Sequence, residues 1–339
     1  MNKFRATVAA AALLASTSTI AFAAEPVLEP VTQKFVSDLA ASGFKGFHVL
    51  TPDEARKVLV GAQSGAVKKP AASIEDRVIP VGPTGETRIR ILRPEGAQGT
   101  LPVVMYYHGA GWVMGDAATH DRLVRELAVG ANAAVVFVDY DRSPENRYPV
   151  AIEQDYAALK YVFDNAVALN VDASRIAIAG DSVGGNMTAV VSLLAKERKG
   201  PSLKGQLLFY PVTDAKMDNG SYSQFENGPL LTKAAMRWFW DAYLPDEGAR
   251  KDRTVSPLNA SLEQLKGLPP ALVITAENDV LRDEGEDYAK KLIQAGVTVT
   301  STRYNGTVHD FVMLNALSET PAARGAIAQA TSFLKDVLR

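Results

Sequence analysis

Five short, almost unbroken apolar runs occupy residues 103–107, 134–138, 176–179, 206–210 and 272–275. A strand exposed on one face alternates polar and apolar residues; a run without alternation needs cover on both faces. Helical patterns lie between the runs. Ile152, Tyr156, Leu159 and Phe163 recur at three- and four-residue spacing, and Tyr288 and Leu292 repeat it ahead of Gly296, a residue suited to ending a helix. A last helix is expected over about 322–338, after a strand at 298–304. Upstream, 77–81 and 87–93 read as strands joined by the turn Gly82-Pro83-Thr84-Gly85-Glu86, with Ile89 and Ile91 on one face and Arg88 and Arg90 on the other. Strands alternating with helices predict an α/β fold around a mostly parallel sheet flanked by helices.

Two segments fall outside that rhythm. Residues 31–40 and 52–63 read as short amphipathic helices ahead of the sheet, within an N-terminal segment 25–75. Residues 215–250 form a long insertion between two strands and carry Trp238, Phe239, Trp240 and Tyr243. An insertion of this length needs somewhere to bury its rings, so both segments are expected to form a helical cap over the catalytic domain, 76–339.

Residues 1–24 have the form of an export signal. Lys3 and Arg5 precede a small, apolar stretch, and Ala21-Phe22-Ala23 has the small-x-small pattern of a cleavage site. The stretch is too short for a stable membrane anchor. The expectation is a periplasmic or secreted protein, consistent with a chain that has no cysteine and so neither a disulfide nor a thiolate metal site. A formal net charge of −2 gives no electrostatic footprint for nucleic acid.

The chemistry is concentrated in three places. Gly180-Asp181-Ser182-Val183-Gly184 follows the run at 176–179 and opens a helical stretch, the strand–turn–helix setting of a nucleophile elbow. The turn exposes Ser182 at a helix N-terminus, where the dipole favours developing negative charge. A serine hydroxyl needs a base, and the chain has only four histidines: His48, His108, His120 and His309. Along an elbow-containing fold the order is serine, acid, histidine, and His309 alone meets it. The acid expected between them is Asp279, just beyond the strand at 272–275. Glu277 and Asp283 are rivals; Asp283 is better placed to begin the following helix, and Asp310, adjacent to His309, is not expected to point at it. Third, His108-Gly109-Ala110-Gly111-Trp112 follows the run at 103–107. Its small residues bring backbone N–H groups close to a reacting carbonyl, so Gly109 and Ala110, with Val183 from the elbow, are the expected oxyanion donors.

These segments, with Asp279-Val280-Leu281-Arg282-Asp283-Glu284-Gly285 and His309-Asp310-Phe311, resemble the hormone-sensitive-lipase-like family of α/β-hydrolase esterases from about residue 76 to the C-terminus. The resemblance implies the α/β-hydrolase fold, a mostly parallel eight-stranded sheet with a helical cap. It implies Ser182 as nucleophile, Asp279 as acid and His309 as base, acting on short- to medium-chain acyl esters. It also implies no cofactor, no metal and, in many members, a homodimer. Trp112, Tyr210 and Trp238 are expected to bind substrate. The chain departs from the family at Ala110 and Asp310, where glycine is usual, at Val183, where alanine is usual, and at Val280, where proline is common. The same triad would also serve an amide, lactone or carbamate, and a binder without turnover could keep the scaffold.

Overall fold

The computed structural model describes residues 26–339, so the expected leader lies outside the described residues. The chain enters through helix α1 (Pro30–Ala41) and helix α2 (Pro52–Gln63). Their boundaries follow from capping chemistry. The Glu29 carboxylate accepts the Val31 and Thr32 N–H groups at the start of α1. Thr51 and Glu54 form a reciprocal capping box at the start of α2, and each helix has proline in its first turn, where no N–H is needed.

Eight strands follow: β1 (Ala72–Ile79), β2 (Thr87–Pro94), β3 (Leu101–Tyr107), β4 (Ala134–Asp139), β5 (Val171–Asp181), β6 (Gly205–Phe209), β7 (Ala271–Asn278) and β8 (Val299–Val308). They form one sheet in the order β1-β2-β4-β3-β5-β6-β7-β8. β2 pairs antiparallel with both its neighbours, and every other pairing from β4 to β8 is parallel. The sheet begins at Ala72, a few residues ahead of the expected domain boundary at 76.

The helices α3 (Asp121–Ala131), α4 (Val150–Asp164), α5 (Val183–Glu197), α6 (Gly220–Gln224), α7 (Lys233–Tyr243), α8 (Leu262–Leu265), α9 (Arg282–Gln294) and α10 (Pro321–Val337) complete the chain. Both faces of the sheet are covered, which is why its central strands need no alternation. Leu208 of β6 and Val273 of β7 share a cluster with Leu193 of α5 and Leu292 of α9. Their neighbours Leu207 and Leu272 belong instead to the larger core that includes Ala330 and Leu334 of α10. All seven residues of β3 are buried. Helix α3, between β3 and β4, has no counterpart among the expected elements. Its buried face carries Leu123, Val124, Leu127, Ala128 and Ala131 at helical spacing, beside a buried Arg122–Glu126 pair at 2.7 Å.

This topology brings three strand ends together at one edge of the sheet. Ser182 is the residue between β5 and α5, Asp279 is the first beyond β7, and His309 is the first beyond β8. Among the described residues no helix is long and apolar enough to cross a membrane.

Candidate active site

Ser182 sits at φ 56°, ψ −118°, a strained conformation for a residue with a Cβ. It persists because its surroundings leave no alternative. The Ser182 N–H donates to the Phe209 carbonyl at 2.9 Å, and the Ser182 carbonyl accepts from Val212 N–H at 3.1 Å. A Cβ on Gly184 would strike the Tyr107 carbonyl, so only glycine lets the elbow close against β3. Ser182 occupies the N-cap of α5, yet its side chain makes no capping bond. Its Oγ lies instead 2.9 Å from His309 Nε2, while His309 Nδ1 lies 2.7 Å from Asp279 Oδ2. The structure therefore joins Ser182, His309 and Asp279 in one chain of contacts, all three residues at least 95% buried.

The rival acids are committed elsewhere. Asp283 Oδ2 accepts from Ser221 N–H at 2.7 Å, and Glu277 Oε2 accepts from Gly306 N–H at 2.8 Å. Asp279 Oδ1 accepts from Leu281 N–H at 3.0 Å, which fixes the plane of the carboxylate that faces His309. Burial alone would lower the His309 pKa. The Asp279 and Asp310 carboxylates outweigh it and push the imidazole up to about 9.

Asp310 corrects the sequence-based expectation. Its φ is 60°, a left-handed turn that swings the side chain back beside its neighbour. Asp310 Oδ1 lies 3.4 Å from His309 Nε2.

The loop after β3 is the second correction. Ala110, Gly111 and Trp112 have φ values of 73°, 71° and 60°, three left-handed residues in succession. Gly109 is not free to serve a substrate: its N–H donates to Asp181 Oδ1 at 3.0 Å. The N–H groups of Ala110, Gly111 and Val183 have no intramolecular acceptor among the described residues, and Ala110 and Gly111 line the cavity above Ser182.

Asp181, the residue before the serine, is the anchor that the sequence reading missed. It is fully buried. Besides Gly109, it accepts from Tyr106 OH at 2.6 Å, and its other oxygen lies 3.3 Å from His120 Nε2. Burial would raise its pKa, but His120 and the Tyr106 hydroxyl hold it below the ordinary aspartate value. His108 is packed flat between Tyr140 and Phe137, and burial pushes it down to about 3, so it is neutral. The only signal for Asp181 in the sequence was its place inside the elbow.

Above Ser182 lies a narrow cavity of about 70 Å³. Phe35 and Leu39 of α1, Leu59 of α2, and Leu231, Met236 and Phe239 of the 215–250 insertion contribute walls. The Phe47 and Phe239 rings, 5.9 Å apart, join the two segments. Apart from Ser182, His309 and Asp310, the lining side chains are apolar.

The three aromatic residues expected to bind substrate are not among the walls. Trp112 is fully buried and stacks on Tyr243 at 4.1 Å, where it fastens α7 to the body. Tyr210 packs edge-on behind the His309 ring at 4.9 Å. Trp238 points off the inner face of α7, whose buried residues are Ala235, Met236, Phe239, Trp240 and Tyr243. That three- and four-residue spacing was readable in the sequence and would have selected Phe239. Among the described residues no group of three or more His, Cys, Asp or Glu side chains is placed to hold a metal ion.

A nucleophile elbow, a serine–histidine–aspartate contact chain and a capped apolar cavity on a mostly parallel sheet define a hydrolase of the α/β class. The family model described as the α/β-hydrolase fold matches residues 104–313, and the chain belongs to that family, in its hormone-sensitive-lipase-like branch. A thermostable esterase from Pseudomonas putida ECU1011 superposes with a TM-score of 0.91 at 51% identity, covering 93% of this chain and 99% of that one. Carboxylesterase NlhH of Mycobacterium tuberculosis is 41% identical over 79% of this chain and 84% of its own length. Carboxylic ester hydrolase LipN of the same species is 39% identical over 87% of this chain and 80% of its own.

Proposed function

We propose that this chain is a serine carboxylesterase that hydrolyses short- to medium-chain acyl esters through Ser182, His309 and Asp279. The observation that carries the reading is the imidazole of His309, held between Asp279 Oδ2 at 2.7 Å and Ser182 Oγ at 2.9 Å. His309 Nε2 takes the Ser182 proton as the hydroxyl attacks the ester carbonyl, and Asp279 stabilises the imidazolium through Nδ1. The N–H groups of Ala110, Gly111 and Val183 receive the oxyanion, each donor worth about 3 kcal/mol in the transition state. The alcohol leaves with the proton from Nε2, and water then releases the acid from the acyl-enzyme. The apolar walls favour uncharged acyl groups, and closure by Phe239 and Leu231 supports an optimum below the long-chain fatty acids.

Hydrolysis of p-nitrophenyl esters from acetate to palmitate, by the native chain and by Ser182→Ala, tests the proposal. Activity should peak at short or medium chains and vanish in the variant; turnover persisting in Ser182→Ala would refute the nucleophile. The leader at 1–24 supports export, and a processed chain in the periplasm or medium is the matching observation.

A further inference from the structure

We infer that Asp310 positions the water that hydrolyses the acyl-enzyme, by accepting its second proton-bearing bond while His309 Nε2 takes the first. The inference rests on the serine-esterase reading above. Water attacking an acyl-enzyme has two O–H bonds. One points at the general base. The other needs an acceptor, because an unpaired O–H in an apolar cavity is costly. Among the described residues Asp310 is the only carboxylate that lines the cavity, and every lining side chain besides Ser182, His309 and Asp310 is apolar. Asp310 Oδ1 is sealed from bulk solvent and has no hydrogen-bond partner among the described residues, an unusual state for a buried carboxylate oxygen. The same atom lies 3.4 Å from His309 Nε2, the nitrogen that faces Ser182 Oγ. A water bridging Oδ1 and Nε2 therefore stands beside the acyl carbon. The Asp310 backbone is held in that left-handed turn by its carbonyl, which accepts from Met313 and Leu314 N–H, each at 2.9 Å.

The step balances without any further reagent. The water oxygen bonds to the acyl carbon as one proton passes to Nε2. The tetrahedral intermediate collapses, the bond from carbon to Ser182 Oγ breaks, and the Nε2 proton returns to Oγ. The second proton stays on the attacking oxygen, donated to Asp310 during attack, and leaves with the product acid. An alcohol attacking the same acyl-enzyme has only one O–H, so it does not need Asp310.

That asymmetry supplies the test. p-Nitrophenyl butyrate is turned over at fixed methanol concentration, and butyrate and methyl butyrate are quantified. Both products come from one acyl-enzyme, so their ratio is independent of acylation rate and of the fraction of folded enzyme. Asp310→Gly, which suits the positive φ, should lower the butyrate to methyl butyrate ratio about tenfold, the worth of one hydrogen bond to a charged group. Asp310→Asn keeps an acceptor oxygen and should stay within about threefold of native, the cost of losing charge assistance alone. An unchanged ratio in Asp310→Gly, or an equal fall in Asp310→Asn, would overturn the inference. If methanol captures no acyl group, the p-nitrophenol burst decides: it should grow toward one per site in Asp310→Gly, and an unaltered burst overturns the inference. Failure of the esterase reading looks different, since Ser182→Ala would then release p-nitrophenol as fast as the native chain.

Discussion

Asp181→Ala isolates a carboxylate that touches no substrate. Asp181 accepts from Gly109 N–H and Tyr106 OH and faces His120 Nε2. Truncation leaves these groups without a partner in a fully buried site, at about 1–3 kcal/mol each. The loss in stability is thus several kcal/mol, a large part of a typical total. The effect on catalysis comes from the loop. With Gly109 released, the left-handed run from Ala110 to Trp112 loses its tether, and the Ala110 and Gly111 N–H groups drift from the oxyanion position. Displacing one donor costs about 3 kcal/mol, or about 150-fold in kcat. KM should stay within a few-fold, because the apolar walls are unaltered. Asp181→Asn keeps Oδ1 for Gly109 and Tyr106 and should lose only about tenfold, the difference between a charged and a neutral acceptor. The assay is steady-state hydrolysis of p-nitrophenyl butyrate, with a melting curve to confirm folding. If folded Asp181→Ala keeps kcat within threefold of native, the tether argument is wrong.

His309 must be neutral to accept the serine proton, and its neighbours push it up to about 9. The protonated fraction is inactive, so kcat/KM should rise about tenfold per pH unit toward pH 9; a plateau already reached at pH 7 would contradict this. Ala110 holds a left-handed φ of 73°, so Ala110→Gly should relieve about 1 kcal/mol of strain and raise Tm by about 2 °C. An unchanged or lower Tm would show that the loop is not strained there.

Sequence reasoning singled out the three residues that the fold joins in one contact chain, Ser182, His309 and Asp279, because each has a signal of its own. Ser182 lies in a glycine-flanked turn after a buried run, and chain order leaves one histidine. It reached most strands for a similar reason, since a run buried on both faces cannot be hidden. It failed where backbone direction decides. Whether Gly109 or Gly111 faces the substrate depends on the left-handed run from 110 to 112, which no side-chain pattern encodes. The approach of Asp310 to His309 depends on one positive φ. Helix α3 was overlooked although its period was legible, since Leu123, Val124, Leu127, Ala128 and Ala131 recur at helical spacing on its buried face. Trp112 and Trp238 were misjudged as pocket residues because a large ring serves equally well as mortar.

Gln63, at the last turn of α2, has a role that extends beyond packing. Its Nε2 donates to the Thr119 and Met313 carbonyls at 2.7 and 3.0 Å, and its Oε1 accepts from Asn315 N–H at 2.9 Å. Met313 and Asn315 belong to the segment that begins with His309. One amide thus straps the cap helix to the strap of chain that carries the base. An excursion of α2 would tug on the imidazole, so this wall cannot swing as an independent door. The opposite wall, α7, is fastened through Trp112 and Tyr243 instead and carries no such link to His309. Changes in substrate range that leave the proton relay intact are therefore easier to reach from the α7 side.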